Sequence, residues 1–190
     1  GVLTDALLQA GASVRAIEQD RRYIGYLEER FRSYGSRFRV IYGDASRLSW
    51  QEALDPGPWK LVSNLPYSIT SLALRLGLWS SALPEKIVVL IQREVAERAT
   101  SVASDMPKGV KGKTSLLSLM IALATTERRI IKRVAAGAFF PPPKVESAIL
   151  ALTPMSWAIR EQYWNISTEA VMRLAKQGFA HPRKFLSSNL

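Results

Sequence analysis

The tetrapeptide Asn64-Leu65-Pro66-Tyr67 combines residue types that can hold a planar base by its exocyclic amine. It follows the apolar pair Leu61-Val62, where the sequence predicts the end of a buried strand. The proline fixes its own φ and favours an extended Leu65, so backbone carbonyls at this corner can accept hydrogen bonds. Ligands of open α/β sheets bind beside such strand ends. The sequence therefore predicts a base-binding corner here.

Polar side chains also follow the two preceding predicted strands, as Glu18 and Asp44. An acidic residue after the second strand usually binds ribose hydroxyls, about 20 residues beyond a glycine-rich loop. Gly1 would be the last glycine of that loop. Each carboxylate alone is weak support, because charged residues at strand ends are common. Together with Asn64 they favour a nucleotide-like ligand at one edge of a sheet.

A second unusual segment is Phe139-Phe140-Pro141-Pro142-Pro143-Lys144. Three prolines hold a stiff, extended backbone, so the aromatic rings before them can be presented to a ligand at low entropic cost. A proline-rich linker and a ligand for an SH3-type domain are the alternatives. The strands predicted closely on both sides argue against the SH3 ligand.

Strands alternate with helices along the chain, which is typical of a parallel, doubly wound α/β sheet. One predicted helix covers residues 21–34. The final two strands, residues 128–134 and 147–152, have no helix between them and are expected to be antiparallel. From about Met155 the chain reads as helical. We therefore predict a core domain over residues 1–154 and the beginning of a helical domain over residues 155–190.

The chain carries 26 basic and 16 acidic residues, a net charge of +10. This balance indicates a nucleic-acid binder, although charge that only maintains solubility is the alternative. The absence of cysteine excludes disulfides and thiolate metal sites, and a single histidine argues against zinc. No apolar run could cross a bilayer, and no signal peptide is evident. We expect a monomer without metal or membrane partners, in the cytoplasm or an organelle matrix.

The chain resembles the ribosomal RNA adenine dimethyltransferase family, which includes small-subunit enzymes and large-subunit macrolide-resistance enzymes. Five segments match in order: Gly1-Val2-Leu3-Thr4, Ala16-Ile17-Glu18-Gln19-Asp20, Gly43-Asp44-Ala45, Asn64-Leu65-Pro66-Tyr67 and residues 139–147. Residues 92–95 and 179–184 resemble further family segments. The fourth and fifth segments together are specific, whereas Gly-Asp-Ala alone carries little weight.

The resemblance implies a Rossmann-like class I methyltransferase sheet, mostly parallel with an antiparallel last strand, that binds S-adenosylmethionine. Gly1 would belong to the cofactor loop and Glu18 would hold the ribose. Asp44 would accept a hydrogen bond from the cofactor's adenine amine, with Ala45 packed beside that ring. Asn64 would lie between the cofactor and the target base.

The resemblance also implies the catalytic residues. The Asn64 side chain and a backbone carbonyl near Leu65 or Pro66 would accept the two hydrogens of the target amine. Tyr67 and Phe139 would sandwich the adenine, which must leave its stack to be reached. No strong base is present, so catalysis would depend on positioning and electrostatics.

Basic residues could bind the phosphates of ribosomal RNA and so position it without reading its sequence. The candidates are Lys108, Lys111, Lys113, Lys144, Arg183 and Lys184. For each of them, a solvated surface charge is an equally good interpretation.

The chain lacks counterparts of the family's first strand, most of the glycine loop and much of the helical domain, so we expect a truncated piece of a longer protein. The leading interpretation is dimethylation of adjacent adenines in a hairpin loop of small-subunit ribosomal RNA, with a role in ribosome maturation. A large-subunit resistance enzyme and a non-catalytic RNA-binding assembly or transcription factor are the alternatives. A DNA adenine methyltransferase fits less well, because those enzymes usually begin the corresponding tetrapeptide with an acidic residue.

Overall fold

The structure, a computed structural model, describes residues 1–101 and 115–179. The chain divides into two compact units, Gly1–Pro58 and Trp59–Leu190. No helix in the described ranges is long and apolar enough to cross a membrane.

The first unit is built around a pair of parallel strands. Its elements are α1 (Val2–Gln9), β1 (Val14–Glu18), α2 (Arg22–Arg30), β2 (Phe38–Tyr42) and α3 (Trp50–Ala53). Glu18 lies opposite Tyr42 in the parallel register, so the carboxyl ends of both strands reach the same edge. The sequence, in which each predicted strand is followed by a polar residue, predicts this edge correctly.

Three fully or nearly buried side chains form the core of the first unit: Leu8 from α1, Leu27 from α2 and Phe31 directly after it. Leu27 and Phe31 are four residues apart and therefore share one helix face. The predicted helix over residues 21–34 is too long, because α2 ends at Arg30 and a 3₁₀ turn follows over Arg32–Arg37. Gly35 in that turn has a φ of 54°, a conformation that interrupts a right-handed helix.

The second unit contains a four-stranded sheet and five helices within its described residues. The elements are β3 (Lys60–Asn64), α4 (Thr70–Trp79), β4 (Lys86–Gln92), α5 (Arg93–Thr100), α6 (Leu116–Ala124), β5 (Thr125–Val134), β6 (Ser147–Pro154), α7 (Trp157–Trp164) and α8 (Thr168–Gly178). The strand order is β3-β4-β6-β5.

The last strand, β6, is antiparallel to both of its neighbours, whereas β3 and β4 are parallel. The prediction of a mostly parallel sheet with a reversed last strand is therefore confirmed. The strand predicted at residues 128–134 begins earlier, at Thr125, directly after α6. The strands form two sheets, with β1 and β2 in one and the other four strands in the second.

The core of the second unit lies on one face of its sheet. Ile87, Val89 and Ile91 of β4 are fully buried there, beside Leu150 and Leu152 of β6. Each such side chain contributes on the order of 1.5–3 kcal/mol when it leaves water. The continuous apolar run of β4 predicts burial on both faces, but Val88 and Leu90 on the opposite face are only half-buried.

An arginine is also fully buried in this unit. The Arg160 guanidinium donates hydrogen bonds to the carbonyls of Leu78 (2.7 Å), Met155 (2.8 Å) and Ala124 (3.3 Å). Leu78 and Ala124 lie at the carboxyl ends of α4 and α6, where helix dipoles favour a cation. The rings of Trp157 and Trp79 lie 4.4 and 5.3 Å from the guanidinium carbon. Burial lowers the pKa of Arg160 to about 10, which leaves it charged at neutral pH.

Candidate functional site

The first unit presents two carboxylates at the carboxyl ends of its strands. Glu18 ends β1, and Asp44 lies two residues beyond β2. The Gly43 N–H donates to the Glu18 carbonyl at 2.9 Å, which joins the two strand ends through the backbone. The structure therefore brings together the two acidic residues that the sequence predicts at this edge.

Each of these carboxylates is oriented by a backbone N–H two residues further along. Glu18 Oε1 accepts from the Asp20 N–H at 2.9 Å, and Asp44 Oδ1 accepts from the Ser46 N–H at 2.8 Å. Among the described residues, no donor reaches Glu18 Oε2. The Ser46 side chain and backbone N–H, with the nearby Arg47, hold the pKa of Asp44 below its usual value. Asp44 is consequently an ionised, acceptor-only group at neutral pH.

The turn that carries Asp44 is fixed by two further contacts. The Trp50 indole N–H donates to the Ala45 carbonyl at 2.8 Å. A Cβ on Gly43 would lie 2.6 Å from Leu48 Cδ1, so any larger residue there would displace that side chain. Trp50 thus supports the Ala45 backbone. Gly1 lies at the exposed amino end of α1, where its carbonyl accepts from the Asp5 N–H at 3.0 Å.

The second unit carries the tetrapeptide at the carboxyl end of β3. Asn64 is exposed, and its side chain makes no hydrogen bond with a described residue. Leu65 is buried, and its N–H donates to the Leu90 carbonyl at 3.3 Å. The Pro66 carbonyl accepts from the Ile69 N–H at 3.1 Å as a 3₁₀ turn begins at Tyr67. The sequence proposes the Leu65 or Pro66 carbonyl as an acceptor for the target amine. The Pro66 carbonyl already accepts a hydrogen bond from Ile69, so the Leu65 carbonyl is the better candidate.

The Tyr67 side chain forms a hydrogen bond with a residue that is distant in the sequence. Its hydroxyl lies 2.9 Å from the Ser147 hydroxyl in a hydrogen bond. Ser147 is fully buried at the first residue of β6, where it pairs with Gln92 of β4 and Val134 of β5. The contact joins the two segments, Asn64-Leu65-Pro66-Tyr67 and residues 139–147, that are most informative in the sequence.

A second link holds the same region. Arg93, the first residue of α5, forms an ion pair with Glu146 and donates its backbone N–H to the Glu146 carbonyl at 2.9 Å. Glu97 pairs with Arg93 at 3.5 Å and with Arg133 at 3.3 Å. The start of β6 is thus tied to α5 and to the end of β5.

The comparisons with known proteins identify the family. A family model described as ribosomal RNA adenine dimethylase matches residues 1–181. The chain belongs to this family.

Curated relatives of the dimethylase family agree with this assignment. Ribosomal RNA small subunit methyltransferase A of Dehalococcoides mccartyi strain BAV1 is 38% identical over all of this chain and 61% of the relative. The protein of the same name in Synechococcus elongatus is 35% identical over all of this chain and 67% of the relative. The chain therefore spans about three fifths to two thirds of the length of these relatives.

Solved structures show the same fold. A dimethyladenosine transferase from Plasmodium falciparum has a TM-score of 0.70 and 25% identity, over 93% of this chain and 58% of that one. The 23S rRNA methyltransferase ErmE has a TM-score of 0.63 and 23% identity, over 93% of this chain and 65% of that one. These neighbours confirm the Rossmann-like methyltransferase fold class.

The two aromatic residues that begin the segment 139–147 differ in exposure. Phe139 follows the 3₁₀ turn Ala136–Ala138 in an extended conformation and is partly buried. Phe140 is 100% exposed. Phe139 is therefore the more restrained of the two rings.

Of the basic residues that the family resemblance proposes for RNA, Lys144 is exposed in the structure. Lys108, Lys111, Lys113, Arg183 and Lys184 lie outside the described residues.

The structure adds two cations that the sequence alone does not single out. Arg129 and Lys132 of β5 pair with Ala151 and Ile149, two positions apart on β6, and therefore share one sheet face. Residues three apart in a regular strand point to opposite faces, but a register shift between Ile130 and Lys132 reverses this. Both side chains are exposed, and neither forms an ion pair with a described residue. No cluster of three metal-ligating side chains occurs in residues 1–101 and 115–179.

Proposed function

We propose that the protein containing this chain transfers methyl groups from S-adenosylmethionine to the N6 amines of adjacent adenines in a hairpin loop of small-subunit ribosomal RNA. The reaction is a double methylation of each amine and belongs to ribosome maturation. Membership of the dimethylase family and the names of the curated relatives support the activity and the substrate. The single observation that carries the proposal is the Asn64–Tyr67 corner at the end of β3, in which Tyr67 is anchored to Ser147.

The acidic edge of the first unit fits the cofactor. Ribose hydroxyls and an adenine amine are hydrogen-bond donors, and Glu18 and Asp44 offer acceptor oxygens that local backbone N–H groups already orient. Glu18 would take the ribose and Asp44 the amine, while Ala45 would pack beside the adenine ring and Gly1 would border the loop. When bound, S-adenosylmethionine supplies a methyl group on a sulfonium, which can alkylate a neutral amine.

The corner of the second unit fits the target base. An adenine amine is a poor nucleophile because its lone pair is delocalised into the ring. The Asn64 side-chain oxygen and the Leu65 carbonyl can each accept one of its hydrogens, which directs the lone pair out of the ring plane. Tyr67 and Phe139 would hold the flipped adenine by stacking, which contributes about 1–3 kcal/mol per base. These residues position the amine, and the mechanism requires no strong base.

The RNA would be held mainly through its phosphates. Lys144, with Arg129 and Lys132 on β5, supplies exposed positive charge in the second unit. We retain the division into a methyltransferase core over residues 1–154 and the beginning of an RNA-binding helical domain over residues 155–190 as a prediction. A monomeric, cytoplasmic protein is part of the same proposal.

Methyl transfer from labelled S-adenosylmethionine tests the proposal directly. The protein as its gene encodes it would be incubated separately with undermethylated small and large ribosomal subunits, and dimethyladenosine would be measured by mass spectrometry. Dimethyladenosine in the small subunit alone is expected. Product in the large subunit alone would assign the protein to the resistance type. No product with either, while RNA binding persists, would favour a non-catalytic factor.

Asn64→Ala is the sharpest single change in that assay. Losing one hydrogen-bonding group that stabilises the reacting atoms typically lowers kcat by 100-fold or more, and about that loss is expected here. Asn64 is exposed, so the variant should fold and bind RNA normally. Ser68→Ala, also exposed and one residue beyond Tyr67, is the matched control and should keep full activity. Equal rates for both variants would contradict the role of Asn64.

A further inference from the structure

The contact between Tyr67 and Ser147 assigns a role to a residue that touches neither cofactor nor base in the proposed mechanism. We propose that Ser147 is a positioning residue, whose hydroxyl fixes the Tyr67 ring in the orientation on which the target adenine stacks. This inference rests on the proposed function. It adds a residue through which the start of β6 controls the base-binding corner.

The two partners differ in burial and in how their backbone is held. Ser147 is 0% exposed and begins β6, a strand that is bonded on both sides by β4 and β5. Tyr67 is 38% exposed and lies in a 3₁₀ turn after Pro66. A hydrogen bond of 2.9 Å between these hydroxyls therefore joins a fixed group to a movable ring. Without the bond, the ring could rotate about its side-chain torsions before a base arrives.

The surroundings of Ser147 show that the anchor itself is held. The neighbouring Glu146 is joined to Arg93 by an ion pair and by a backbone hydrogen bond. Gln92, directly before Arg93, is the sheet partner of Ser147. The backbone position of Ser147 is thus set by several independent contacts, as required of a residue that orients another.

The kinetic consequence follows from what the ring does. Most RNA affinity should come from phosphate contacts elsewhere, so a misoriented ring should affect the reacting geometry more than binding. Removing the hydrogen bond should lower kcat about three- to tenfold, the range expected for one neutral hydrogen bond. The KM for RNA and the Kd for S-adenosylmethionine should change less than twofold.

A merely structural role is the competing explanation, because a buried hydroxyl needs a hydrogen-bond partner whatever its function. A double-mutant cycle separates the two. Ser147→Ala and Tyr67→Phe should each lower kcat by a similar factor, and the double variant should be no slower than either one. A double variant that shows the product of both losses, or a Ser147→Ala variant as fast as the wild type, would overturn the proposal.

Thr125→Val is the matched control for loss of a buried hydroxyl. The Thr125 hydroxyl donates to the Ile121 carbonyl at 2.7 Å within the same unit, away from Tyr67. This variant should lose stability but keep the wild-type kcat at temperatures where it is folded. A fall in kcat equal to that of Ser147→Ala would show that lost stability explains both results and would overturn the proposal.

A second measurement is independent of methyl transfer. NMR spectra of protein with 13C-labelled tyrosine, assigned with Tyr67→Phe, report the ring of Tyr67. Its signal should shift in Ser147→Ala and stay in place in Thr125→Val; an unshifted signal would overturn the proposal. Absence of transfer by the wild-type protein would count against the proposed function instead, and the NMR result would still decide whether Ser147 holds the ring.

Discussion

The acidic edge of the first unit and the proposed base-binding corner of the second, Asn64–Tyr67, are constructed in different ways. Glu18 and Asp44 are oriented by backbone N–H groups only two residues away. Tyr67, in contrast, is held by a residue 80 positions later, and Arg93 reaches 53 positions to Glu146. Each carboxylate of the first edge is thus oriented by a local turn once β1 and β2 are paired, whereas the second exists only when the sheet around β6 is assembled.

This difference has consequences for how each edge responds to change. Local turns form wherever the chain adopts the right backbone conformation, so substitutions should alter the acidic edge with little loss of stability. The base-binding corner depends on long-range packing, whose loss should affect stability and base positioning together. Cofactor binding and base positioning should therefore be separable by mutation.

The largest expected effect comes from Arg160→Met, which tests whether the second unit depends on long-range packing. The substitution leaves the carbonyls of Leu78 and Met155 without their buried donor, while the Ala124 carbonyl keeps its bond from the Met155 N–H at 2.8 Å. The free energy of unfolding should fall by about 2–4 kcal/mol, since each buried unpaired group is costly. Denaturant unfolding followed by tryptophan fluorescence measures this. Arg173→Met, an exposed arginine on α8, is the control and should change stability by less than about 0.5 kcal/mol.

The contrast between a locally built acidic edge and a second unit that depends on long-range packing would be contradicted if Arg160→Met were as stable as its control. It would also fail if the variant lost affinity for S-adenosylmethionine under conditions in which it remained folded, because the acidic edge should not depend on this packing.

A smaller, purely local effect is expected from Ser46→Ala. Removing the Ser46 hydroxyl should raise the pKa of Asp44 toward its ordinary value of 3.8, while the backbone N–H still lowers it. Because the folded-state pKa is depressed, this carboxylate stabilises the fold above its unfolded pKa, and that contribution is lost as pH falls through the folded pKa. Ser46→Ala should narrow the pH range between the folded and unfolded pKa values of Asp44, over which this contribution is lost. NMR titration of the Asp44 carboxyl carbon measures the shift.

The midpoint for Asp44 should move upward in Ser46→Ala. The melting temperature at neutral pH should fall slightly, because part of the stability that the depressed pKa contributes is lost, and the difference from the wild type should disappear as pH falls below the folded pKa. An unchanged midpoint would show that the hydroxyl does not set the pKa. A difference in melting temperature that persisted below the folded pKa would show that the substitution disturbs more than this local contact.

The same distinction explains what the sequence could predict. The strand ends, including the position of Asn64 at the end of β3, and the reversed last strand depend on local patterns and connection lengths, and these predictions are confirmed. The bond from Tyr67 to Ser147 and the triple contact of Arg160 depend on tertiary packing, which no spacing in the sequence encodes. The bulge that aligns Arg129 with Lys132 is likewise a property of the paired strands. The division at residue 154 and the residue roles remain predictions.

The smallest expected effect concerns the contribution of single lysines in the second unit to RNA affinity. Lys132→Gln and Lys144→Gln should each weaken RNA binding and reduce the slope of log affinity against log salt by up to about 0.7–0.9, the value for one phosphate contact. Methyl transfer at saturating RNA should be unchanged, because these contacts hold the RNA and not the amine. Lys60→Gln is the matched control, since Lys60 is exposed at the opposite end of β3. An equal change of slope in all three variants would mean that general positive charge, and not the positions of Lys132 and Lys144, binds the RNA.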